Sequence, residues 1–226
     1  MGAIDWGNIF DLQLAITSLP YILQGIGYTL LISFGGMANG LVLGFILALG
    51  RGSEWRIIRW PARIFISYMR GTPMLVFLFL LYFGLPNIGI QFSAVTAALI
   101  GFSLHSSAYM AEINRSALNS VDKGQWEAAT ALGMSYWQTM WSIILPQATR
   151  IAIPPLSNVL LDLIKASSLA AMITVPELFQ RAKIVGGREF DYLTVYILVG
   201  FVYWGISVLV EIWQSRLEKR FSFSQK

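Results

Sequence analysis

Gly124-Gln-Trp-Glu-Ala-Ala-Thr-Ala-Leu-Gly133, running on to Ile143-Ile144-Leu145-Pro146, is a polar, helix-favouring island between long apolar runs. Glu127-Ala128-Ala129 favours a helical turn, because alanine loses no rotamer entropy on entering a helix. Gly133 is placed to end that turn in a left-handed conformation that a β-carbon would oppose. The spacing predicts a second short helix from Tyr136 to Ile144, with Trp137, Met140, Trp141 and Ile144 at i, i+3, i+4 and i+7 on one face. Pro146 is expected to end it, and Trp137 and Trp141 to brace it against its surroundings. Two short helices joined at a glycine form a compact knob, a shape suited to a groove on another protein.

The flanks of this island set its context. Of 226 residues, 56% are hydrophobic and only 12% charged, against about 25% charged in soluble domains. No Asp, Glu, Lys or Arg occurs from Leu12 to Gly50 or from Gly71 to Ala111. Each window exceeds the ~20 residues that cross a bilayer, so the chain is read as an integral membrane protein. The net charge of +4 is not gathered into a dense basic run. Basic loops facing the cytoplasm explain it better than nucleic acid does. The absence of cysteine excludes disulfides, thiolate metal sites and a cysteine nucleophile. Met1 to Phe10 holds Asp5 and no Lys or Arg. It lacks the basic start of a cleavable signal peptide, so the first span is expected to drive insertion.

The fold expected is all-α, one transmembrane domain over residues 1–226 with five spans, at about 22–49, 57–83, 92–117, 151–175 and 192–212. The knob occupies a loop at about 118–147. Residues Asn8 to Ser18 read as a short interfacial helix or an extended lead-in, with Pro20 opening the next element. Gly36, Gly40 and Gly44 have the small-xxx-small spacing that lets a second helix approach closely. Arg70-Gly71-Thr72-Pro73 falls inside the second span, Leu85 to Gly89 forms an uncharged turn, and Pro154-Pro155 begins the fourth span.

Five spans put the termini on opposite sides. One set of segments holds eleven basic residues: Arg51, Arg56, Arg59, Arg63, Arg115, Lys123, Arg150, Arg216, Lys219, Arg220 and Lys226. The other set holds Arg181, Lys183 and Arg188. The positive-inside rule places the N-terminus outside, and the knob and C-terminus in the cytoplasm.

The Glu-Ala-Ala, Gly133 and Ile-x-Leu-Pro pattern resembles the EAA loop of ATP-binding-cassette (ABC) importer permeases. Ala108-Tyr109-Met110-Ala111-Glu112-Ile113, Ser120 to Gln125, Arg70 to Pro73, Leu85-Pro86 and Lys165-Ala166-Ser167-Ser168-Leu169 look like the polar-amino-acid branch of that family. The resemblance runs from about Pro20 to Phe221. It implies a type I importer-like permease subunit in a bacterial plasma or inner membrane. Glu127, Ala128, Ala129, Gly133, Leu145 and Pro146 would form the coupling element, kept slim at 128, 129 and 133 to enter a cleft. The partners implied are two cytoplasmic ATPase subunits, a second permease copy or homologue, and an extracytoplasmic amino-acid-binding protein. The polar segment Pro176 to Asp191 is a candidate surface for that last partner. The chain has no Gly-x4-Gly-Lys-Ser/Thr phosphate loop. ATP and Mg²⁺ are therefore expected to be used by the ATPase partner, with no cofactor and no catalytic or metal-ligating residue on this chain.

Candidate pathway residues are Arg70, Thr72, His105, Asn158, Asp162, Lys165 and Ser168. An arginine at mid-membrane costs ~2.5–3.5 kcal/mol on insertion scales, so Arg70 should face a cavity or a partner. Two roles are open to it: holding a substrate carboxylate beside the Thr72 hydroxyl, or pairing with Asp162. Asn158, Asp162 and Lys165 fall at i, i+4 and i+7 with Ser168 near the same face. That face either lines a passage or carries a structural Asp162–Lys165 ion pair. In many similar permeases an acid follows the lysine, where it would receive a substrate's amino group. Here Ala166 follows, so a neutral or cystine-like substrate fits better than a cationic one. His105, the sole histidine, is read as a packing or substrate contact. Glu112 and Arg115 are read as a helix-end ion pair. Two other classes make different demands on the sequence. An ion-coupled secondary transporter would show inverted repeats, and none is evident. An intramembrane hydrolase would need an acid near His105, Ser106 and Ser107 to orient the imidazole.

Overall fold

The computed structural model describes residues 9–221, and among them every regular element is helical. Asp5 and Lys226 lie outside the described residues. Helix α1 spans Leu12–Leu23. Asp11 starts it, its carboxylate accepting from the Leu14 N–H at 2.9 Å. Pro20 therefore lies inside α1 and does not open the next element. The break falls at Gln24-Gly25, after which α2 runs over Ile26–Gly52.

Helix α2 packs along α5 (Ala94–Asn119) through its glycine stripe. Gly36, Gly40 and Gly44 are buried against Phe102, Ser106 and Met110. A β-carbon at Gly44 would lie 2.8 Å from Met110 Cβ and 2.9 Å from the Ser107 carbonyl oxygen. Ser106 Oγ donates to the Gly36 carbonyl at 3.0 Å. In lipid, apolar burial between helices is a weak drive, so close approach and such interhelical bonds hold the pair.

The second expected span is broken. Helix α3 (Arg56–Gly71) ends at Thr72, which is extended with ψ 131°. Helix α4 (Met74–Phe79) restarts after Pro73, and the two arms diverge by 105°. Proline disfavours helical geometry in the residue before it and supplies no N–H, so the helix cannot run through. Beyond α4 come a π turn at Leu80–Gly84 and a 3₁₀ turn at Leu85–Ile88. Gly89 closes the latter at φ +85°.

The knob contains α6 (Lys123–Ala131) and α7 (Tyr136–Thr139). Pro146 does not end the second of these. A π turn at Met140–Ile144 follows, in which the Leu145 N–H reaches the Met140 carbonyl, and α8 (Leu145–Ala166) continues from it. The wider turn accommodates a residue that has no N–H to give. Pro154 and Pro155 lie inside α8. The carbonyls they free belong to exposed residues, Arg150 and Ile151. A 3₁₀ turn at Ser167–Ile173 completes a helical stretch of 38 residues from Tyr136.

Helix α9 (Leu178–Glu189) packs on α1 and α10 (Tyr192–Phe221). Its N-cap, Glu177, is fully buried. Glu177 accepts from the Phe179 and Gln180 N–H groups at 2.9 and 2.6 Å and from the Tyr203 hydroxyl at 2.5 Å. Burial pushes its carboxyl above the usual range despite those bonds. Among the described residues four helices are long and apolar enough to cross a membrane, or five if the bent α3–α4 pair counts as one crossing.

Candidate functional site

The break between α3 and α4 opens beside α5 and α8. A cavity of about 270 Å³ is lined by Met74, His105, Ser106, Tyr109, Val159, Asp162, Leu163 and Ala166. The His105 imidazole lies 5.2 Å from the Tyr109 ring, centre to centre. Two sequence-predicted residues, His105 and Asp162, thus line one cavity, and Thr72 lies two residues before Met74 in its wall. Asp162 pairs with Lys165 at 2.9 Å, and the two side chains are 74% and 61% exposed. Asn158 is exposed one turn away. Ser168 turns back instead, its hydroxyl donating to the Lys165 carbonyl at 2.8 Å.

Arg70 does not pair with Asp162. It lies 3.8 Å from Glu112, with its guanidinium 5.7 Å from the Tyr109 ring centre. Its position at the end of α3 points it to α5, while Asp162 is already satisfied one turn along α8. Glu112 also meets Arg51 and, at 3.2 Å, Arg115. The carboxylate is 18% exposed and gathers arginines from α2, α3 and its own helix. The pair with Arg115 is one spoke of this hub. Sequence reasoning missed Arg51 and Arg70 as partners. One signal was available: Glu112 is the sole acid in α5, close to an excess of arginine.

The knob is built from local signals. Asp122 caps α6 by accepting from the Gly124 N–H at 2.6 Å. At the far end Met134 N–H reaches the Ala129 carbonyl and Gly133 N–H the Thr130 carbonyl, each at 3.0 Å. With Gly133 at φ +74°, these bonds make a Schellman closure. Ser135 and Gln138 then form a reciprocal capping box, unnoticed in the sequence. Glu127, Ala128 and Gly133 are exposed, whereas Ala129 is buried. Leu145 lines a small cavity with Phe45, Asn114 and Leu118, and Pro146 is exposed. Trp137 and Trp141 do not brace the helix, each being 58% exposed. Met140 and Ile144 take the inward sector with Ala117 and Val121. The π turn winds more slowly than an α-helix and shifts the phase on which a shared face depended. Trp126 stacks on Tyr136, with ring centres 5.4 Å apart.

Comparison with known proteins agrees with this architecture. Residues 40–223 match the family described as binding-protein-dependent transport system inner membrane component. The chain is 64% identical over 222 residues to the probable amino-acid ABC transporter permease protein YckA of Bacillus subtilis (strain 168), covering 98% of each. It is 42% identical over 202 residues to the L-cystine transport system permease protein TcyB of the same organism, covering 89% of this chain and 86% of that one. Among solved structures, a chain from the crystal structure of an amino acid ABC transporter with histidines superposes with a TM-score of 0.88. It is 32% identical, with 93% of this chain and 98% of that one covered. The chain belongs to the binding-protein-dependent transport system inner membrane components, a multi-pass protein of the cell membrane that groups with amino-acid ABC transporter permeases.

Proposed function

We propose that this chain is the membrane-spanning permease subunit of an ATP-driven importer, moving a polar amino acid delivered by an extracytoplasmic binding protein. The observation that carries this reading is the Asp162–Lys165 pair. Both charges are largely exposed within a helix apolar enough to cross the membrane. Ionisable groups at such positions face a water-filled passage or a partner, not lipid. Beside them lies the cavity of His105, Tyr109 and Ser106. A second permease copy or homologue facing α8 would close the open side into a passage. An acid and an ammonium three residues apart match the amino and carboxylate groups of a zwitterion. Arg70, held by Glu112, is left with an indirect role.

The excess of basic residues around the knob puts it, with the C-terminus, in the cytoplasm and the N-terminus outside. Exposed Glu127, Ala128 and Gly133 then present a slim surface to two ATPase subunits. These partners use the ATP and Mg²⁺, since this chain lacks a phosphate loop. The segment Pro176 to Asp191, on the opposite side, would receive the binding protein. A relative named for L-cystine transport and the alanine after Lys165 favour a neutral or cystine-like substrate.

The test is reconstitution with the cognate ATPase and binding protein, followed by uptake assays over a panel of amino acids. ATP-dependent uptake of a polar amino acid, weakened at least tenfold by Asp162→Asn, is the expected outcome. Uptake driven by an ion gradient without ATP would establish a secondary transporter instead and overturn the reading.

A further inference from the structure

Helix α3 divides into three sectors when its residues are placed at 100° intervals. Ala62, Ile66 and Met69 share one sector and are buried. Ile57, Trp60, Ile64 and Tyr68 share another and are exposed. Arg56, Arg59, Arg63 and Arg70 fall between these within about 60° of arc.

The basic sector is only partly satisfied by the protein itself. Arg70 is held by Glu112. Arg59 reaches the Ser53 carbonyl at 3.5 Å, and its Nε is buried without a partner. Arg56 and Arg63 are exposed, and among the described residues neither is in an ion pair. No side chain caps the first turn of α3, so the Arg56 and Ile57 N–H groups also stand open to an acceptor.

The placement of α3 points the same way. Its start follows α2 by three residues, and Arg70 at its end shares Glu112 with Arg51 at the end of α2. Both ends therefore stay near one end of α2, and α3 runs along a boundary of the membrane layer instead of crossing it. Trp55 and Trp60, 70% and 54% exposed, are the residue type that marks such a boundary. Arginines beside an exposed apolar face, on a helix at that depth, describe a surface for anionic lipid.

We propose that the basic sector of α3 is a docking strip for anionic phospholipid. Arg56 and Arg63 take the headgroup phosphate, which a guanidinium can hold through two parallel N–H···O bonds. Ile57, Trp60 and Ile64 lie against the upper acyl chains. The strip rests on the cytoplasmic placement given above only for which leaflet supplies the lipid.

The experiment uses the full-length chain in phosphatidylcholine nanodiscs containing a minor fraction of phosphatidylglycerol, with retained lipid identified by native mass spectrometry. The wild-type protein should retain phosphatidylglycerol preferentially. Arg56→Gln with Arg63→Gln should weaken that affinity about thirtyfold, at ~1 kcal/mol per surface charge. Arg56→Lys with Arg63→Lys should keep most of it, which separates lost charge from misfolding. Unchanged preference in the glutamine variant overturns the strip. Displacement of the lipid by equimolar glycerol phosphate would also overturn it, because the ligand would then be a free phosphate. ATP-driven uptake in parallel vesicles keeps the two readings apart. Normal uptake without lipid preference defeats only the strip, and lipid preference without ATP-driven uptake defeats only the importer.

Discussion

The knob and the α3–α4 break are built by opposite means. In the knob, each device acts within a few residues: Asp122 on Gly124, Gly133 on its own backbone, Ser135 on Gln138. At the break, Pro73 supplies the kink, but the charges around it are organised by Glu112 from another helix, with Arg51 61 residues away in sequence. Local devices shape the small exposed element, while Met140 and Ile144 seat it on Ala117 and Val121. A shared carboxylate makes three helix segments depend on one another. The first arrangement suits a surface that must fit a partner; the second suits a joint between helices.

The contrast can be tested at Gly133 first. Gly133→Val places a β-branched residue at φ +74°, where nothing crowds the site and only the backbone objects. A left-handed residue with a β-carbon costs roughly 1–2 kcal/mol. On the proposed reading, uptake should fall more than tenfold while ATP hydrolysis by the complex continues, and Gly133→Asn should retain most uptake. Coupled uptake at the normal ATP ratio in the valine variant would show that the loop shape is not what the partner reads.

Glu112→Gln is next in size. It leaves Arg51, Arg70 and Arg115 without a counter-charge at a mostly buried site, and the expected loss is about 2 kcal/mol. Thermal unfolding in detergent would register it. Ser135→Ala removes one cap of a local kind and should cost about 1 kcal/mol, with amide-exchange protection lost only between residues 135 and 144. If protection fell instead across α2 and α5, the knob would not be the self-contained element described.

The smallest expected effect on stability is Asp162→Asn. The pair with Lys165 is so exposed that its loss should change stability by less than about 0.5 kcal/mol, although uptake is expected to suffer. A stability loss as large as that of Glu112→Gln would make the pair structural.

The same contrast explains how far the sequence could be read. Gly133, the glycine stripe of α2 and the membrane-crossing apolar runs each declare themselves through nearby residues or simple spacing. Pro146 and Pro73 were misjudged in opposite senses: the first was expected to stop a helix and is bridged, the second to sit within a span and breaks it. A sequence shows that a proline N–H is missing. It does not show whether the adjacent turn will widen into a π turn or the preceding residue will go extended, because tertiary packing makes that choice. Trp137 and Trp141 turned outward for the same reason. Arg70 announced that it needed a partner, but the acid the sequence offered, Asp162, is not the one that meets it. Only the packing of α3 on α5 brings Glu112 to it.

The uninterrupted passage from α7 through the π turn into α8 has one more consequence. From Tyr136 to Ala166 the rod is roughly 45 Å long at 1.5 Å per residue. A tilt of only ~10° about either end swings the other by about 8 Å, more than the width of an extended chain or a small solute. A modest push on the knob would therefore arrive beside Asp162 and Lys165 as a large sideways stroke: the rod is a lever with the knob as its handle.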